Sequence, residues 1–83
     1  MDKNEVIKQL TTVFRDVFDN STIELSENTT ALDIEEWDSF EHVNLMLAVE
    51  EEFEVDISMK ESTSFKNVGE LADIIIQKKN SSL

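Results

Sequence analysis

The run Trp37-Asp38-Ser39-Phe40-Glu41-His42-Val43-Asn44-Leu45-Met46-Leu47-Ala48-Val49-Glu50-Glu51-Glu52-Phe53 decides the fold of this chain. Its apolar residues recur at three- and four-residue steps, the spacing of a helix with one buried face. Val43, Met46, Val49 and Phe53 are expected to form the stripe that meets the core, with Leu45 beside it. Asp38 supplies a carboxylate that can cap the first turn, and Glu41, three residues on, can reach back. Ser39 then falls in that first turn, where a hydroxyl lies close to free backbone N–H groups. Phe40 and Leu47, two turns apart, share a second apolar line with Asn44 and Glu51. One line can face the core. The other is expected either to stand exposed among Glu41, Glu50 and Glu51 as a docking surface, or to pack beneath a loop.

Outward from this segment the same period recurs. Val6, Ile7, Leu10, Val13, Phe14, Val17 and Phe18 predict a helix from Lys3 to Phe18, capped by Asp2 with Glu5. A loop of about seventeen residues then leads to Trp37, long enough to need anchoring, with Leu25, Leu32 and Ile34 as the expected anchors. Ser58 and Glu61 mark a short helix from Met59 to Thr63. Asn67 and Glu70 open a last one, with Val68, Leu71, Ile74 and Ile75 inward and Lys78 and Lys79 at the negative end of its dipole. Asn80-Ser81-Ser82-Leu83 reads as a loose tail. With one glycine and no proline, hairpin turns are disfavoured. The expected fold is all-α: a small four-helix bundle with a long loop between helices one and two and a short third helix, residues 1–83 forming a single domain.

Charge narrows the partners. The net charge is -12, and Asp16 to Met59 carries fourteen acidic residues without a Lys or Arg. Nucleic acid needs clustered cations and is excluded as a partner; an anionic membrane surface is disfavoured on the same ground. A basic protein surface fits, steered in by long-range attraction. Reversing charge at Glu50 and Glu51 is therefore expected to weaken docking and leave the fold intact. No cysteine is present, so there is no disulfide, thiolate nucleophile or Cys-based metal site, and any thiol chemistry has to be attached. The first residues lack a signal-peptide pattern, and the apolar run Leu45 to Val49 cannot span a bilayer, so a cytoplasmic protein without membrane insertion is expected. No calcium-loop pattern occurs. His42, the one histidine, lies four residues from Asp38, a spacing that usually gives a local electrostatic contact on a helix surface; a role for it in helix two or in partner contact is expected to vary near pH 6 to 7, where imidazoles ordinarily titrate.

With Asp38-Ser39-Phe40 opening an acidic helix that ends in Glu51-Glu52-Phe53, the chain resembles the acyl carrier protein family. Thr29-Thr30-Ala31-Leu32-Asp33-Ile34-Glu35-Glu36-Trp37 is similar to one group of free-standing carriers, in which a tryptophan precedes Asp-Ser and a His-x-Asn follows. The resemblance implies a 4'-phosphopantetheine arm on Ser39, taken from coenzyme A by a phosphopantetheinyl transferase and ending in the missing thiol. It implies a non-catalytic, monomeric carrier of acyl thioesters. Acyl-loading and acyl-transferring enzymes with basic docking surfaces would meet Asp38, Phe40, Glu41, Leu47, Glu50 and Glu51. An acyl chain would retreat among Val43, Met46, Ile57 and Leu71 or Ile74, and no metal is implied. Fatty acid, polyketide or a related specialised pathway fits, and Trp37 in place of a small residue favours the specialised one. Phe40 departs from the usual leucine, and Asn44 from a common acid. An aminoacyl carrier of the D-alanyl or peptidyl type, and an unmodified acidic helical adaptor, remain as alternatives.

Overall fold

The computed structural model describes residues 2–81. Four helices occur in the expected order: α1 Lys3–Val17, α2 Ser39–Phe53, α3 Met59–Ser64 and α4 Val68–Ser81. A single 3-10 turn, Ala31–Asp33, interrupts the long loop. The architecture is all-α, with no strand among the described residues. Asp2 caps α1 by accepting the Glu5 N–H, and Phe18 closes it by donating its N–H to the Phe14 carbonyl. Asn80 and Ser81 continue α4, so the expected tail is helical up to that point. Ser82 and Leu83 lie outside the described residues.

The core is built by three helices and the loop. Val6, Leu10 and Phe14 of α1 meet Leu45, Val49 and Phe53 of α2, and Val68, Leu71 and Ile75 of α4, all at 2% exposure or less. In α3, by contrast, no residue is buried. This difference corrects the expected stripe of α2. Leu45, Met46, Val49 and Phe53 face inward, whereas Val43 is 61% exposed. The helix turns its Leu45/Val49 side to the long surface of α1, and α3 is too short to cover Val43.

The loop is anchored differently from the expectation. Ile34 and Trp37 are buried and Leu25 is half-buried, but Leu32 is 97% exposed. The cause is local: Thr30 and Asp33 form a reciprocal capping box around the 3-10 turn, none of whose residues is buried. Ile23 serves instead, buried at one end of the loop, with its carbonyl accepting from Arg15 Nε at 2.7 Å. Midway along the loop, Val68 and Gly69 donate their N–H groups to the carbonyls of Thr29 and Glu27, both at 2.9 Å. The loop thereby satisfies two of the donors that the start of α4 leaves unpaired.

That approach explains the chain's sole glycine. A Cβ at position 69 would lie 3.0 Å from the Glu27 carbonyl oxygen and 3.1 Å from Glu27 Cβ. Replacing a helical glycine by alanine ordinarily gains up to about 1 kcal/mol, but overpacking typically costs about 1–3 kcal/mol. The obstacle here is backbone, and it is held by the bond from Gly69 itself. Gly69→Ala is expected to lower unfolding free energy by about 1 kcal/mol in a denaturant titration, with looser protection of the Thr29–Val68 contact; a stabilised variant would contradict this account.

Candidate functional site

The approach to Ser39 is fixed before the helix begins. Trp37 is buried, edge-on to Phe14 with ring centroids 5.1 Å apart, and its backbone N–H donates to the Ile34 carbonyl. Asp38 then takes an extended conformation, and its carboxylate accepts the Glu41 N–H at 2.8 Å. The expected return bond from Glu41 is not formed; that carboxylate accepts from Asn44 Nδ2 at 3.0 Å instead. Ser39 is therefore the first residue of α2, exposed, and adjacent to first-turn amides that a helix cannot pair internally.

A mostly apolar groove of about 460 Å³ opens beside it, lined by Ser39, His42, Val43, Met46, Leu47, Ile57, Met59, Ser62 and Thr63. Of the residues assigned to an acyl pocket, Val43, Met46 and Ile57 line this groove. Leu71 does not, being fully buried in the main core, and Ile74 is half-buried outside the lining. The reading missed Met59, 84% exposed, and the hydroxyl-bearing face of α3. Those positions follow from where α3 lies, which no periodicity on a six-residue helix can indicate.

The residues expected to meet a partner separate by their bonds. Phe40 and Leu47 are 78% and 60% exposed, so the second apolar line of α2 stands in solvent. Asp38 and Glu51 are also exposed. Glu50 is different: its Oε2 accepts the Ile57 N–H at 2.8 Å and so shapes the turn between α2 and α3. The expectation that charge reversal at Glu50 spares the fold is corrected by this bond.

The His42 side chain does not pair with Asp38, although its backbone N–H donates to the Asp38 carbonyl. Its Nδ1 accepts from Trp37 Nε1 at 2.9 Å, and its Nε2 lies 2.6 Å from the Ser62 carbonyl. The ring stacks on Trp37 at 11° and lies 5.7 Å from Phe65. Both ring nitrogens are engaged internally, so His42, on α2, links the loop to α3. On the other flank of α3, Glu61 completes the Ser58 capping box and meets Lys78 at 2.7 Å. The Lys78 ammonium first, and the Ser58 N–H second, hold the Glu61 carboxyl down from the usual 4.5 to about 2. This depressed value means that the α3–α4 link is fully present above about pH 4.5 and is lost only as pH falls toward about 2. No cluster of metal-ligating side chains occurs among the described residues. No described helix is long and apolar enough to cross a membrane.

Among solved structures, the chain is similar to the holo acyl carrier protein from Geobacter metallireducens, determined in solution by NMR. The two are 38% identical, the match covers 93% of this chain and 88% of that one, and the TM-score is 0.86. This chain belongs to the acyl carrier protein family. No protein-family model and no curated protein matches it.

The two glutamates are expected to part in a simple comparison. Glu51→Lys should leave unfolding free energy within about 0.5 kcal/mol, as surface substitutions usually do. Glu50→Lys should lose about 1–2 kcal/mol by leaving the Ile57 amide without its acceptor. Equal denaturation midpoints for both variants would remove Glu50 from its structural role.

Proposed function

We propose that this chain carries acyl intermediates as thioesters on a 4'-phosphopantetheine arm attached to Ser39. The observation that carries the reading is the placement of an exposed first-turn hydroxyl at the mouth of an apolar groove. In the attachment step, Ser39 Oγ bonds to the β-phosphorus of coenzyme A as the pyrophosphate P–O bond breaks. The nucleoside phosphate leaves, and the hydroxyl proton passes to a base of the phosphopantetheinyl transferase. The arm, when present, supplies the thiol that forms the thioester.

The residues around Ser39 fit such a group. A phosphodiester at the start of α2 would face unpaired amides and the positive end of the helix dipole, an effect of about 0.3–1 kcal/mol where exposed. Asp38 holds that first turn in place through Glu41 N–H. Val43, Met46, Leu47, Ile57 and Met59 offer apolar surface for the cargo, and Met46 and Met59 adapt easily to its shape. This lining favours an acyl chain over the polar amino group of a D-alanyl or peptidyl carrier. Leu71 and Ile74 fall outside this groove, so the proposed cargo site omits them.

Partners follow from charge and apolar exposure together. Phe40 and Leu47 stand beside Asp38 and Glu51 on α2, a pairing that suits transferases and acyl-processing enzymes with basic, partly apolar docking surfaces. Glu41 and Glu50 add negative field while their carboxylates hold internal bonds. On this proposal residues 1–83 are one non-catalytic carrier domain, monomeric and cytoplasmic, serving fatty acid, polyketide or related specialised synthesis.

Intact mass before and after incubation with coenzyme A, Mg²⁺ and a broad-specificity phosphopantetheinyl transferase tests the proposal. The wild-type chain is expected to gain one phosphopantetheine, or to carry it already, and Ser39→Ala to gain none. A folded wild-type chain that stays unmodified with several transferases would favour the acidic adaptor instead.

A further inference from the structure

α3 is a six-residue helix with no buried residue, far shorter than a helix that holds itself together in water. Its position, and with it one wall of the groove, has to be imposed from outside. The Glu61–Lys78 pair contributes little, because both side chains are about one-third exposed and such surface pairs are weak. The stronger connection runs through His42. A tryptophan indole can only donate, so the 2.9 Å contact from Trp37 Nε1 requires a lone pair on His42 Nδ1. The ring is then the neutral tautomer with its proton on Nε2, and that N–H donates to the Ser62 carbonyl at 2.6 Å. Trp37, at 7% exposure, is fixed against Phe14 and backs the ring by stacking on it. Phe65, the residue that ends α3, packs on the imidazole as well.

We propose that His42 is a positioning residue that pins α3 over the groove beside Ser39 through the chain Trp37 Nε1–H to His42 Nδ1 and His42 Nε2–H to Ser62 O, and thereby sets how well a thioester-linked cargo is shielded. The inference rests on the carrier reading of Ser39 for its cargo half. Its structural half stands on the apo chain. His42 itself lines the groove, so loss of the pin both removes a wall residue and frees α3.

The test compares wild type with His42→Leu, His42→Gln and Trp37→Phe, first as apo chains and then loaded with a hexanoyl-phosphopantetheine arm. Imidazole ¹⁵N shifts in the wild type should show an unprotonated Nδ1 and a protonated Nε2. In His42→Leu the amides of Ser62 to Ser64 should exchange at least tenfold faster, with core amides such as those of Leu10 and Leu71 unchanged. Hydroxylamine, which attacks the thioester carbonyl and releases the thiol, should cleave the hexanoyl form several-fold faster. His42→Gln keeps an acceptor and a donor and should recover most of both effects. Trp37→Phe keeps a ring but deletes the donor, and should loosen α3 to an intermediate extent. Unchanged α3 exchange in His42→Leu, or unchanged thioester lability once α3 is loosened, would overturn the proposal. So would a glutamine variant as loose as the leucine one. Failure of Ser39 to accept the arm would instead defeat the carrier reading, leaving the exchange data to decide the pin.

Discussion

The edge-on contact between Trp37 and Phe14 brings the end of the long loop between α1 and α2 onto α1, and the placement of Ser39 depends on it. Phe14 is fully buried and also takes Phe18 edge-on, so the indole meets a surface that is itself fixed. With Trp37 in place, Asp38 can only enter α2 from one direction, and its carboxylate meets the Glu41 N–H. The serine that follows is exposed by the same geometry that buries the tryptophan. The hydroxyl thus sits on a junction held from behind, at the start of α2.

The charge distribution is a second constraint. A chain with net charge -12 repels itself, and some of its few cations, Lys3, Arg15 and Lys78, join separate segments. Lys3, at the start of α1, reaches Glu27 in the loop at 2.9 Å and Asp73 of α4 at 3.1 Å, and its hydrogen bonds to Glu27 and then Asp73 raise its pKa above the ordinary 10.5. Lys78 joins α4 to α3. Among the described residues, the α2 face around Phe40 and Leu47 has no such bridge. It retains a field that can steer a basic partner.

Much of this was legible in the sequence because helices three or more turns long declare their buried face by period. α1 and α4 were placed within a residue or so at their starts, and the Ser58–Glu61 box located α3. Val43 was misjudged because it lies only about 60° around the helix from Met46, at the edge of the inward face, whose centre runs through Leu45 and Val49 on the far side. Leu32 was misjudged because a leucine in a loop has no period to read, and the capping box that turns it outward is a local effect. The first-turn place of Ser39 was legible, and the exposure of Phe40 and Leu47 is one of the two arrangements the sequence left open. The place of His42 was not legible, since its two bonds join residues 5 and 20 positions away and only the fold brings them together.

The rate of arm transfer onto a Trp37→Leu chain tests most directly whether the buried indole is what presents Ser39. The substitution keeps an apolar side chain and removes the edge contact. The account predicts transfer slowed by about tenfold or more, at a temperature where circular dichroism shows the helices retained, since small misplacements of a reacting group are costly. Transfer at the wild-type rate in that folded variant would show that Ser39 is presented without Trp37, and would contradict the account.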